Sequence, residues 1–311
     1  MKRVKAIIGS LFTITVVWII AHNINRHFES RRLDGKYEYV TIDGKKLHCW
    51  KKGDGKHTII LLSGYGTPSP ILDFQPFARE LGNYYKVIII ENFGYGYSDD
   101  TDKPRTFRNL DSELHNALSE LKIMPPFILV AHSISGIFAY FLAAEHSSEV
   151  EAIIGIDPAV PLFFAGNSIS GNSWKEHLLQ ICGVVRLASI FIPELITPNE
   201  MNMLYDKEIL AQIRLLAVRN YHNEAQKDEF HRYDENGKLT LSLGRNPYLP
   251  VLYFLSDNGK PETKWKKLRI EDVKKHKTGI VVSLEGSHYL HRTNPKEMAG
   301  KIKTFIDKNV Q

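Results

Sequence analysis

The 311-residue chain has a formal charge of +5, with 43% hydrophobic and 24% charged residues, the profile of an ordinary soluble globular protein. That length buries a full core, as one large α/β domain or two small ones. The positive charge is diffuse and no nucleic-acid motif accompanies it, so nucleic acid is not an expected partner. Cys49 and Cys182 lie far apart, without the spacing or neighbours of a metal site or a disulfide framework.

In chain order, Lys2, Arg3 and Lys5 precede Ala6–Ala21, a run without charge. A bilayer-spanning helix wants about 20 apolar residues, and extension through His22–Ile24, with Trp18 near an interface, supplies that length. The expected order is a basic N-terminus (1–5), a transmembrane anchor (6–24) and a polar linker (25–36), with the N-terminus inside and the remainder extracytoplasmic. A cleaved signal peptide, giving a secreted protein, is the alternative. Ala21-His22-Asn23 makes a poor cleavage site for it.

Next, 36–40 and 45–51 flank Asp43-Gly44, a strong hairpin signal. Strands and helices then alternate: strand 58–62, helix 70–82, strand 86–91, helix 106–122, strand 127–132, helix 135–146 and strand 151–156. Continuous apolar runs such as Ile59-Ile60-Leu61-Leu62 suit a parallel sheet covered on both faces. Near residue 160 the alternation stops. A helical pattern runs to Arg245, broken by Pro161, Pro193 and Pro198, and its apolar stretch Ile181–Ile192 is expected to wall a substrate crevice. Strand 251–255, a basic helix 262–276, strand 280–284 and helix 295–308 complete the chain. The expected organisation is a core of 37–159 and 248–311, with a helical cap, 160–247, inserted after the sixth strand.

Four turns carry chemistry. Ala131-His132-Ser133-Ile134-Ser135-Gly136 joins a strand to a helix, and a serine on such a sharp turn has its hydroxyl pushed out of the sheet. Leu61-Leu62-Ser63-Gly64-Tyr65-Gly66 can aim a backbone N–H at an oxyanion. Glu91-Asn92-Phe93-Gly94-Tyr95-Gly96-Tyr97-Ser98 follows another strand, and Glu285-Gly286-Ser287-His288 arrives late, where a general base belongs. In order and spacing these resemble the nucleophile elbow, His-Gly-x-Gly turn, Asp-x-x-Gly-x-Gly-x-Ser turn and terminal Gly-x-His of the α/β-hydrolase family. Ser63 stands where that family often has histidine. The resemblance covers residues 37–309 and implies the α/β-hydrolase fold: a mostly parallel central sheet with helices on both faces.

It also implies roles. Ser133 is the candidate nucleophile and His288 the base, with oxyanion donors at the amides of Ile134 and Tyr65. For the acid, Asp257 follows the seventh strand in the order Ser…Asp…His. Asp157, in Gly155-Ile156-Asp157-Pro158-Ala159, is the alternative, a place some lipases of the fold use. His291 is expected to support the site, and His132 to point away from the serine. Asp111, Glu113 and Glu120 read as the solvent face of an amphipathic helix, and the basic run Lys264-Trp265-Lys266-Lys267 as a solvated surface. The spacing of His288 and His291 is not that of a zinc motif, and no metal or cofactor is expected.

The resulting expectation is hydrolysis of a small-molecule ester through an acyl-serine, with the cap's apolar stretch a hint of an apolar substrate. The same groups could instead serve an amidase, an aminopeptidase or an acyltransferase. An amine-binding carboxylate among Glu194, Glu200 and Glu224 would favour the aminopeptidase. Serine at the elbow argues against the epoxide-hydrolase and dehalogenase branches, which place aspartate there. The fold also serves non-catalytic ligand receptors.

Overall fold

A computed structural model describes residues 2–32, 37–165, 174–257, 259 and 263–310. Its centre is one sheet of β1 (Glu38–Ile42), β2 (Lys45–Lys52), β3 (Thr58–Leu62), β4 (Lys86–Ile90), β5 (Phe127–His132), β6 (Val150–Ile156), β7 (Val251–Asp257) and β8 (Gly279–Glu285). The spatial order is β1-β2-β4-β3-β5-β6-β7-β8. The hairpin β1–β2 joins the sheet antiparallel, and β4 through β8 run parallel. Asp43 and Gly44 both take positive φ, the turn geometry that a two-residue hairpin needs.

Strand alternation divides the core into two layers. Ile60, Leu129 and Tyr253 point towards α3 (Phe107–Glu120), α4 (Ser135–Glu145) and α9 (Lys264–Val273). Ile59, Ile128 and Phe254 point the other way, towards α2 (Pro70–Leu81) and α10 (Pro295–Asn309). Between β6 and β7 the chain builds α5 (Trp174–Ile181), α6 (Val184–Phe191), α7 (Lys207–Asn220) and α8 (Glu224–Leu243), the helical insertion expected there. Helix α8 packs across α4, which explains why α4 is apolar on nearly every side.

Three expectations need correction. Residues 25–32 are not linker: α1 runs unbroken as Lys2–Arg32, since the segment contains neither Gly nor Pro and its side chains bond to the cap; 33–36 lie outside the described residues. Glu113 does not face solvent. It is buried in a bidentate pair with Arg105 at 2.9 and 2.7 Å. Ile181–Ile192 does not form the expected enclosed apolar wall: the chain turns at Cys182-Gly183, and α6 has no buried residue. Cys49 and Cys182 are both free thiols, and burial pushes that of Cys49 up to about 12.

Candidate active site

Ser133 sits between β5 and α4 with φ of 57°, a left-handed conformation that a side chain adopts only under constraint. The constraint is visible. Ser133 N donates to the Ile156 carbonyl at 3.1 Å, and its own carbonyl accepts from Gly136 N at 3.1 Å and Ala159 N at 2.7 Å. A Cβ on Gly136 would stand 2.4 Å from the Ala159 carbonyl, so the turn requires glycine there. Ser135 is tolerated because its hydroxyl has work to do, donating to the carbonyls of Leu62 or His132 at 2.8 Å.

His288 reaches the elbow from the loop after β8. Its Nε2 lies 2.8 Å from Ser133 Oγ, and its Nδ1 lies 2.5 Å from Asp157 Oδ2. The structure therefore brings Asp157, not Asp257, to the histidine. Asp257 ends β7 paired with Glu285, exposed, its carboxylate accepting from Gly259 N at 3.3 Å. It is still within the sheet, whereas Asp157 has left β6 with φ of 43° and turns back over the elbow. Because a carboxylate only accepts, the His288 proton is assigned to Nδ1, leaving Nε2 to face the serine.

Sequence reasoning missed Arg269 of α9, which holds Asp157. Its Nη1 pairs with Asp157 Oδ1 at 3.1 Å, its Nη2 donates to the Asp157 carbonyl at 2.9 Å and its Nε to the Pro158 carbonyl at 2.6 Å. The signal was an arginine among lysines; a planar fork with several donors suits a buried, multiply bonded place better than an ammonium does.

The loop after β3 lies against Ser133. A Cβ on Gly64 would come within 3.0 Å of Ser133 Cβ and 2.9 Å of His132 Nδ1, so only glycine lets Ser63-Gly64-Tyr65 approach this closely. Ile134, the other expected donor, is the N-cap residue of α4. The turn after β4 is organised by buried Glu91, which accepts from Ser69 Oγ at 2.5 Å, Ile71 N at 3.1 Å and Tyr97 N at 2.7 Å. Beside the elbow opens a pocket lined in part by Ser63, Ile134, Ser135, Phe138, Glu229 and Tyr233. Glu229, from α8, accepts from Tyr95 Oη at 2.7 Å, and burial raises its pKa. Of the carboxylates expected to meet an amine, Glu194 and Glu224 are exposed, and Glu200 accepts from Ser287 Oγ at 2.9 Å. The pocket carboxylate is Glu229.

A family model of the alpha/beta hydrolase fold matches residues 57–183. The uncharacterized protein YbdG of Bacillus subtilis (strain 168) is 26% identical across 99% of this chain and 98% of its own length. Among solved structures, the epoxide hydrolase VrEH1 from Vigna radiata aligns with a TM-score of 0.66 at 17% identity, over 88% of this chain and 98% of its own. The enol-lactonase from Burkholderia xenovorans LB400 aligns at 0.63 with 18% identity, over 87% of this chain and 100% of its own. The chain has the α/β-hydrolase fold.

In this α/β-hydrolase fold a buried charge knot underlies the histidine loop. Asp73 of α2 accepts from His291 Nε2 at 2.8 Å and Arg292 Nε at 2.7 Å, and the cap's Tyr205 hydroxyl donates to the Asp73 carbonyl. Burial would raise the Asp73 pKa, but Arg292 and His291 outweigh it and hold the carboxyl below its ordinary range. His132 Nε2 bonds the His288 carbonyl at 3.2 Å; burial and its cationic neighbours keep His132 neutral. Thus His291 and His132 both support the loop of His288.

The far end of the sheet carries the described group best suited to a metal. Asp111, His115 and His146 each bring one donor atom within 4.8 Å of the others. These donors bond each other: Asp111 Oδ1 to His115 Nδ1 at 2.7 Å and Oδ2 to His146 Nε2 at 2.9 Å, with Glu149 on His115 Nε2 at 3.0 Å.

Proposed function

We propose that this protein is a serine hydrolase that cleaves carboxylic esters through an acyl-serine intermediate. The observation that carries this reading is the unbroken chain from Asp157 Oδ2 through His288 to Ser133 Oγ. As Ser133 Oγ attacks the ester carbonyl, its proton passes to His288 Nε2, and Asp157 steadies the imidazolium that forms. The amides of Ile134 and Tyr65 are the proposed donors to the tetrahedral oxyanion. The imidazolium then protonates the departing alcohol. Water, deprotonated by the same nitrogen, attacks the acyl-serine, releasing the acid and restoring Ser133. A serine nucleophile makes acyl transfer the chemistry here, rather than the alkyl-ester route of the branches with aspartate at the elbow.

The test is a series of p-nitrophenyl esters of rising chain length, with amino-acid anilides alongside, run on wild type and Ser133→Ala. Ester turnover that vanishes in Ser133→Ala is expected; no turnover by wild type, or turnover surviving the substitution, overturns the reading. Glu229 favours one second reading. A carboxyl enclosed beside the elbow and bonded by Tyr95 suits a substrate amine. An aminopeptidase would then hydrolyse the anilides, and Glu229→Gln would abolish that activity while sparing the esters.

We also infer that α1 anchors the enzyme in a membrane with the N-terminus inside. Lys2–Arg26 is a candidate span of mean hydropathy 2.1, with none of its apolar window buried. Resistance to carbonate extraction is expected; a mature N-terminus near residue 22 would mean a cleaved signal instead.

A further inference from the structure

The apolar run of α1 ends in a latch on the cap. Trp18 Nε1 donates to the Cys182 carbonyl at 2.9 Å, Asn23 Nδ2 to that of Ile181 at 3.2 Å, and His22 Nε2 lies 3.0 Å from that of Gln180. Those carbonyls lie at and just past the end of α5, where a helix leaves acceptors without intrahelical partners, and that of Gln180 also accepts from Gly183 N at 3.1 Å. Arg186 of α6 donates to His22 Nδ1 at 2.9 Å and grips Glu29 with both terminal nitrogens, at 2.8 and 2.6 Å. The Arg186 bond fixes His22 Nδ1 as an acceptor, so Nε2 is the donor to Gln180. Gly183 has φ of 68°, and a Cβ there would strike the His22 ring at 2.7 Å, so the seam is closely fitted.

Beside this seam the cap presents an apolar face that no described residue covers. Ile190, Phe191, Ile192 and Leu195 are 58, 75, 51 and 70% exposed, with Leu178 of α5 at 48%. Soluble monomers rarely leave so much contiguous apolar surface in water. The partner is indicated by continuity: the patch adjoins the helix whose own uncovered run is long enough to span a bilayer. Trp18, at the junction, has the ring-and-donor character that favours a membrane–water interface.

We propose that α5, α6 and the turn through Leu195 rest on the phospholipid surface into which α1 inserts, with Phe191 and its neighbours among the outer acyl chains. The proposal rests on the anchor reading of α1. The latch removes the freedom of a flexible tether, so insertion of α1 brings this face of the cap down onto the bilayer. Apolar side chains entering the headgroup–acyl boundary are the ordinary means by which interfacial helices bind.

The experiment uses the full chain in phosphatidylcholine–phosphatidylglycerol vesicles, in a Cys182→Ser background, with one environment-sensitive fluorophore at Phe191→Cys, Phe12→Cys or Met124→Cys. Met124 is 74% exposed in the loop before β5, away from the cap. Quenching of site 191 by lipids brominated near the headgroup, of site 12 by lipids brominated deep in the chain, and of site 124 by neither is expected. Site 191 as unquenched as site 124, with site 12 quenched, overturns the docking and leaves the anchor standing. If site 12 stays unquenched the anchor reading fails, and the docking, which rests on it, falls with it. Shielding of site 191 that does not depend on lipid bromine means a second copy of the chain covers the patch, which also overturns the proposal.

Discussion

Two clusters in this molecule join imidazoles to carboxylates, one at each end of the sheet. At the carboxyl ends of the strands, His288 has Asp157 on Nδ1 and a neutral hydroxyl, Ser133, on Nε2. At the other end, His115 has Asp111 on Nδ1 and Glu149 on Nε2. An imidazole with an anion at each nitrogen is held protonated, and the bond to Asp111 leads the effects that push His115 up to about 9. With no lone pair free at neutral pH it can accept nothing. His288 keeps one nitrogen for an incoming proton. The same two residue types make an ion pair or a base according to what stands at the second nitrogen.

The largest expected effect comes from removing the acceptor or its donor. His288→Ala and Ser133→Ala each lower kcat by about 10⁶ and abolish labelling by a fluorophosphonate probe read on a gel. Next is the anion that orients the base. Asp157→Asn lowers kcat by about 10⁴, and Asp257→Asn is close to wild type; steady-state kinetics showing the reverse ranking would return the acid to β7.

A smaller loss follows from loosening the acid itself. Arg269→Gln is expected to lower kcat on the order of 10², the cost of a misplacement of about 1 Å, with KM little changed and partial rescue in Arg269→Lys. The smallest effect belongs to the other cluster. Folding raises the His115 pKa from 6.5 to about 9, so its contribution to stability is complete below about pH 6.5 and lost as pH climbs through about 9. The melting temperature of wild type should fall across that window, and His115→Gln should flatten the fall with turnover at neutral pH intact.

The sheet order and the elbow were legible because both depend on local pattern: apolar runs that need two covered faces, and small residues around a strained turn. The acid was not. In sequence both Asp157 and Asp257 come at the carboxyl end of a strand, and which one reaches His288 depends on where the strand stops: Asp257 is still paired in β7, whereas Asp157 has already left β6. Glu113 was misread as solvent-facing although Leu110, Leu114 and Ala117 share its helix face; a carboxylate in that stripe calls for a buried cation, and Arg105 supplies it. The continuation of α1 past Ile24 was hidden because Arg26 and Glu29 there bond the cap, and no local rule announces a distant partner.

The Tyr205 bond to Asp73 has a consequence for how such enzymes diversify. Caps are often imagined as cassettes, exchanged to change specificity above an indifferent floor. Here the floor takes one of its struts from the cap, and that strut ends on the aspartate that braces His291 and Arg292. A foreign cap lacking a hydroxyl at this place would inherit a loosened histidine loop along with its new pocket. Transplants into this scaffold should therefore preserve Tyr205 before they optimise anything that touches substrate.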